Sequence, residues 1–240
     1  MRRIDSEEIL DSDECPAPEA EASLRDLCRI NRWFGGVSTT RSLFERVSSA
    51  VGQKHLSVLE VAAGFGEVPR RAAVQLTGKG IVLDITDLDR MASHLHPGHR
   101  AVVADAAALP FRDDHFDVVS CSLFAHHLTP PELVRFVAEG LRVSRRAVLI
   151  NDLIRHPLHL ALVYAGFPLM RSYVSRFDGV ASVRRAYTPV EVRDILDEQT
   201  KTVAQKIEIS THYLFRMGVI VWKRQTASRS DFELLRQSVA

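Results

Sequence analysis

Five short stretches of this 240-residue chain combine residue types that can do chemistry. In the run Val58-Leu59-Glu60-Val61-Ala62-Ala63-Gly64-Phe65-Gly66, apolar residues lead into a glycine turn and then into helix-forming sequence. Glycine admits positive φ and lets a ligand approach the backbone, and a helix N-terminus attracts anionic groups such as a carboxylate. Asp84 closes a second apolar run and Asp105 follows a third. His126 and His127 are adjacent imidazoles, and a neutral imidazole can take the proton of a phenol of pKa ~10. Asn151-Asp152 ends a fifth run, where a carboxylate can orient an acceptor hydroxyl or accept its proton. Each feature also has a plainer use, as a tight connection or a helix cap.

These residues are positioned by an alternation of strands and helices. Short apolar runs at Val58–Val61, Gly80–Ile85, Ala101–Ala104, Phe116–Ser120 and Ala147–Ile150 predict five strands. Helical patterns follow most of them, including Asp87–Leu95 and the segment after Thr129-Pro130-Pro131-Glu132, which joins an N-cap, prolines in the first turn and a capping-box glutamate. The expected fold is α/β, a doubly wound, mostly parallel seven-stranded sheet, with N-terminal helices at Ser23–Phe34 and Ser42–Val51. Lys206–Ser210 and Tyr213–Trp222 are expected as a closing hairpin. Ligands of such sheets lie beyond the carboxyl ends of the strands, so Glu60 to Gly66, Asp84, Asp105, Ser120 to His127 and Asn151-Asp152 should meet in one cleft.

Residues 1–20 are acidic and proline-containing and are expected to form a flexible arm with no catalytic part. Residues 21–223 form the domain, with 153–186 as a helical insertion over the cleft, and 224–240 form a polar tail. Leu160, Tyr164, Phe167, Met170 and Tyr173 make that insertion suited to a hydrophobic or aromatic acceptor. Arg171, Arg176, Arg184 and Arg185 could hold an anionic group, although a solvated basic face accounts for most of them. A net charge of +1 gives no polycation for nucleic acid. Three cysteines without metal or redox spacing argue against disulfides and zinc ribbons. His156 and His159 beside Asp152 do not make a metal set, so no metal is expected. The N-terminus lacks the apolar core of a signal peptide, and the run Leu158–Met170 is shorter than the ~18 residues of a membrane span. A cytoplasmic protein is expected.

The segment from Glu60 to Gly66 resembles the first motif of class I S-adenosylmethionine-dependent methyltransferases, with Ala62 where the family has its first glycine. The resemblance covers residues 42–152 and is strongest at Val102–Val119, where Asp105, the Leu109-Pro110-Phe111 turn and the Phe116-Asp117-Val118-Val119 strand follow in the family's order. It implies S-adenosylmethionine as cofactor, held by Glu60, Ala62, Gly64, Gly66, Asp84, Ile85, Asp105, Ala106 and Ser122. Asp84 would accept hydrogen bonds from the ribose diol and Asp105 from the adenine amino group. An Asn/Asp-Pro-Pro-aromatic motif of amide and base methyltransferases is absent after the fourth strand. What stands there, Phe124-Ala125-His126-His127-Leu128, is similar to the small-molecule branch that includes the quinone-biosynthesis enzymes.

The resemblance makes His126, His127 and Asp152 the candidate catalytic residues. It implies methyl transfer to oxygen, less readily carbon, of a small hydrophobic or aromatic metabolite. A dinucleotide-binding dehydrogenase does not fit, because the G-x-G-x-x-G spacing is missing. An RNA or protein methyltransferase, and a noncatalytic scaffold that binds the cofactor, remain alternatives, the second favoured only by Ala62.

Overall fold

The computed structural model describes residues 1–11 and 15–238; the remainder of the expected arm (12–14) and tail (239–240) lies outside them. Seven strands, β1 (His55–Val61), β2 (Val82–Asp89), β3 (Ala101–Val103), β4 (Phe116–Ser122), β5 (Ser144–Leu153), β6 (Ala204–His212) and β7 (Arg216–Lys223), form one sheet. Their order is β3-β2-β1-β4-β5-β7-β6. Only β7 runs against its neighbours, so the expected mostly parallel sheet with a terminal hairpin is present. The order reverses at β1 and β4, the place where a crevice opens at the strands' carboxyl ends.

Helices α1 (Ala17–Trp33), α2 (Gly36–Val51), α3 (Glu67–Thr77), α4 (Pro130–Val143), α5 (Pro157–Gly166), α6 (Tyr173–Arg185), α7 (Pro189–Gln199) and α8 (Arg229–Ser238) complete the chain. Both predicted capping boxes form, Thr129 with Glu132 and Thr188 with Glu191, and each satisfies orphan amides of its helix. The core lies on both faces of the sheet. Leu133, Phe136, Val137 and Leu141 of α4 pack with Val119, Val148 and Val219 on one side, and Phe44 and Val47 of α2 with Leu56, Val58 and Leu149 on the other. No helix among the described residues is long and apolar enough to cross a membrane.

Three expectations about elements are corrected. The second strand does not stop at Ile85; it continues to Asp89, and only a single 3-10 turn at Ala92–His94 stands where a helix was expected. The strand can carry this acidic run because Asp87, fully buried, pairs with Arg70 at 2.7 Å and with His99 at 3.1 Å. The hairpin's second strand starts at Arg216 rather than Tyr213, because Leu214 and Phe215 make the turn at φ 52° and 59°.

The N-terminal segment is docked. Arg3 donates to the carbonyls of Arg185, His126 and Leu128, and its guanidinium lies 4.5 Å from the centre of the Tyr187 ring. The amides of Ile9 and Leu10 donate to Asp178 on α6 at 2.8 and 3.0 Å. In the tail, Phe232 and Leu235 of α8 are buried in the core.

Candidate functional site

Beyond the carboxyl ends of β1, β2, β4 and β5 lies a cavity of about 810 Å³. Small-molecule sites run from about 300 to 1,000 Å³, so this one has room for more than one ligand. Its floor is the turn after β1. Ala62 and Gly64 line it, with φ of 53° and 51°. The Ala62 methyl therefore sits in a region an L-residue enters at a cost of ~1 kcal/mol. Gly66 has φ 63° and does not line the cavity. A Cβ there would come within 2.5 Å of the Asp87 carboxylate, so this glycine lets α3 pack on β2.

Glu60 is buried beneath the turn and accepts a hydrogen bond from Ser120. Burial pushes its carboxyl up to about 7, while hydrogen bonds from Ser120 and Ser122 act the other way. Asp105 and Ala106 line the cavity as expected, and Asp105 accepts the Ala107 amide at 2.8 Å. Ser122 also lines it.

Asp84 and Ile85 do not reach the cavity. Asp84 pairs in register with Ser57 near the amino end of β1, stays half-exposed, and is bound by Arg100 at 2.6 Å. Ile85 is packed in the core on the α2 side of the sheet. The acid at the carboxyl end of β2 is Asp89, which lines the cavity and accepts the amides of Gly64 and Met91, each at 3.0 Å. The signal for it was present: Asp87 and Asp89 lie in the same acidic run as Asp84, three and five residues further on and on the opposite alternation phase.

At the far side of the floor, His126 and His127 occupy a 3-10 turn after β4. Leu123, which opens the turn, has φ 59°, and its amide donates to Asn151 at 2.8 Å. Both imidazoles line the cavity, whereas Asp152 lies behind His126, accepting from its Nδ1 at 2.7 Å and its backbone amide at 2.9 Å. Asn151 turns away and donates to the Gly36 carbonyl and to Thr40.

The arm supplies a residue that sequence reasoning missed. Glu8 is buried in the cavity wall, with one oxygen 3.4 Å from His126 Nε2 and the other 3.7 Å from His127 Nε2, and it accepts from Ser182 Oγ at 2.8 Å. Burial opposes charge on His126, but Asp152 and Glu8 outweigh it and raise the imidazole to about 10. The same contacts hold Asp152 and Glu8 below their ordinary values despite burial. The two carboxylates thus favour the charged form of His126, which works against the neutral-base role expected of it.

A second missed residue is Arg216 at the start of β7. It is buried, donates to Asn31 Oδ1 at 2.8 Å and to the Phe34 carbonyl, and keeps Nη1 without a hydrogen-bond partner at the cavity wall. Of the candidate basic residues in the insertion, only Arg185 lines the cavity, and it donates to the His127 carbonyl at 2.9 Å. The remaining walls are apolar, among them Leu27 and Phe34 from the N-terminal region, Val163 of α5, Val183 of α6 and Met170 in the connection between these two helices.

Residues 58–147 match the family model described as a methyltransferase domain. This stretch is similar to a methyltransferase domain. The ubiquinone/menaquinone biosynthesis C-methyltransferase UbiE of Ectopseudomonas mendocina is 37% identical over 104 residues, covering 39% of this chain and 41% of that protein. The demethylmenaquinone methyltransferase of Renibacterium salmoninarum is 28% identical over 150 residues, 60% of this chain and 56% of that protein. The chain thus spans about half the length of the curated relatives it matches. The plantazolicin methyltransferase BpumL, solved with SAH, superposes with a TM-score of 0.66 at 14% identity, over 90% of this chain and 93% of that one. A methyltransferase from Aquifex aeolicus superposes at 0.54 and 15% identity, over 85% of this chain and 97% of that one. These two likenesses establish the methyltransferase domain's fold.

Proposed function

We propose that the chain transfers the methyl of S-adenosylmethionine to a small, largely apolar aromatic acceptor bearing a hydroxyl group. One observation carries this reading: a single cavity joins the glycine turn and strand-end acids to the Glu8–His126–His127 cluster through apolar walls. The cofactor would lie over Ala62 and Gly64. Its ribose diol would donate to Asp89, an acceptor-only group, and its adenine amino group to Asp105. Asp89 takes the role expected of Asp84. Ala106 and Ser122 would flank the cofactor, while Glu60 and Gly66 would shape the turn from beneath.

The acceptor would occupy the chamber under α1, α5 and α6, of which α5 and α6 belong to the lid expected at residues 153–186, and together these helices would keep water from the sulfonium. Its hydroxyl would meet Glu8 and His127, with His126 fixed by Asp152. The free Nη1–H of Arg216 would receive a carbonyl or carboxylate oxygen of the acceptor. The protein's contribution to rate would be alignment of acceptor and methyl, since the sulfonium supplies the electrophile.

Sequence reasoning favoured oxygen as the methylated atom. The relative named as a C-methyltransferase supports carbon instead, and a hydroxyl held at Glu8 would raise the nucleophilicity of the adjacent ring. A roofed cavity also suits a small acceptor better than a nucleic acid or protein. The test is incubation of the full chain with S-adenosylmethionine and a panel of hydroquinones and phenols, with the product's methyl position read by NMR. A carbon-bound methyl is expected. A methyl ether would overturn the carbon reading, and cofactor binding with no product across the panel would favour a noncatalytic scaffold.

A further inference from the structure

We infer that Glu8, His126 and His127 form a binding site for a first-row divalent cation of the Zn2+ class at the acceptor end of the cavity. Nothing in the methyl-transfer reading requires one, and the sequence pointed away from a metal because it considered only His156 and His159.

The geometry is that of an open three-ligand site. One carboxylate and two imidazoles offer ligand atoms that all lie within 4.8 Å of one another. One Glu8 oxygen lies 3.4 Å from His126 Nε2 and the other 3.7 Å from His127 Nε2. Around a tetrahedral cation with bonds of ~2.0–2.1 Å, neighbouring ligand atoms stand about 3.3–3.4 Å apart, so small side-chain rotations close the set. His126 is 2% exposed, and its Nε2 is a buried atom without a hydrogen-bond partner, facing Glu8.

The supporting shell is also that of a metal site. Asp152 holds Nδ1 of His126 at 2.7 Å, which fixes the ring and leaves Nε2 as the metal-facing nitrogen. Ser182 donates to Glu8, and the Ile9 and Leu10 amides anchored on Asp178 fix the segment that carries it. Metal binding would displace any proton from the ligating nitrogens to solvent. The remaining coordination position opens to the cavity, where the hydroxyl oxygen of the acceptor can take it. That last assignment rests on the proposed function; the cation site itself does not.

The experiment uses the full chain stripped with chelator and titrated with Co2+ and Zn2+ alone. Expected are one tight equivalent, a four-coordinate Co2+ absorption spectrum, at least 100-fold weaker binding in Glu8→Gln and in His127→Asn, and about 10- to 100-fold weaker binding in Asp152→Asn. S-adenosylhomocysteine binding, measured on every variant, reports that the fold survives. Co2+ affinity unchanged in both Glu8→Gln and His127→Asn would overturn the site, since other histidines of the ten in the chain would then be the ligands. Failure to bind cofactor with metal binding intact would sink the methyl-transfer reading and leave the cation site standing. Cofactor binding without the tight equivalent would do the reverse.

Discussion

The proposed cofactor end of the cavity is assembled from the ends of four neighbouring strands, within residues 60–122. The acceptor end joins Glu8 of the arm, the imidazoles after β4, Asp152 behind them, Ser182 on α6 and Arg216 on β7. The first is a local construction, in which each strand delivers its own terminal residue to a common edge. The second is held by long-range contacts to an arm with no periodic pattern of its own. A family's cofactor site can therefore be read from short motifs, while the residues that choose the acceptor come from wherever the chain returns.

The sharpest way to break this comparison is at Glu8. Glu8→Gln is expected to reduce turnover at least 100-fold while leaving S-adenosylmethionine affinity within about twofold, because it touches only the acceptor end. Single-turnover rates with calorimetry on the same preparation measure both, and an equal loss in both would show that the two ends are not separate.

Glu60 tests the cofactor end from beneath. Its folded value of about 7 lies above the ordinary 4.5, so the folded chain holds that proton more tightly than the unfolded one. The associated stability is complete below about pH 4.5 and is lost as pH rises through 7, a change of ~3 kcal/mol. Denaturant midpoints of wild type and Glu60→Gln across pH 5 to 8 are expected to diverge, with the variant relatively more stable at pH 8. Parallel curves would contradict the assigned titration.

A smaller effect is expected at Ala62. Replacing it with glycine relieves left-handed strain and should raise stability by up to ~1 kcal/mol, partly offset by glycine's freedom in the unfolded chain. Thermal denaturation reads this directly. Smallest of all, Asp84→Ala removes an exposed pair with Arg100 and should change stability by less than ~0.5 kcal/mol.

How far the sequence could be read follows the same division. The succession of strands and helices, both capping boxes and the glycine turn were legible because each depends on residues close in the chain. Asp105 was legible for the same reason. Asp84 was mistaken for a strand end because an acid normally stops an apolar run, and the pairing of Asp87 with Arg70 and His99 that lets β2 continue is a tertiary event. The sign of φ at Ala62 is likewise invisible in residue type. Glu8 was passed over because its segment gains structure through tertiary contacts, among them those of Arg3 and Asp178, that no local pattern foretells.

The most direct test of the central claim is calorimetric titration of S-adenosylmethionine into wild type, Asp84→Ala and Asp89→Ala. Wild type and Asp84→Ala are expected to bind alike, and Asp89→Ala to lose about 100-fold, the worth of two charge-assisted hydrogen bonds at roughly 1.5 kcal/mol each. A loss confined to Asp84→Ala, or equal affinity in all three, would contradict the proposed cofactor site.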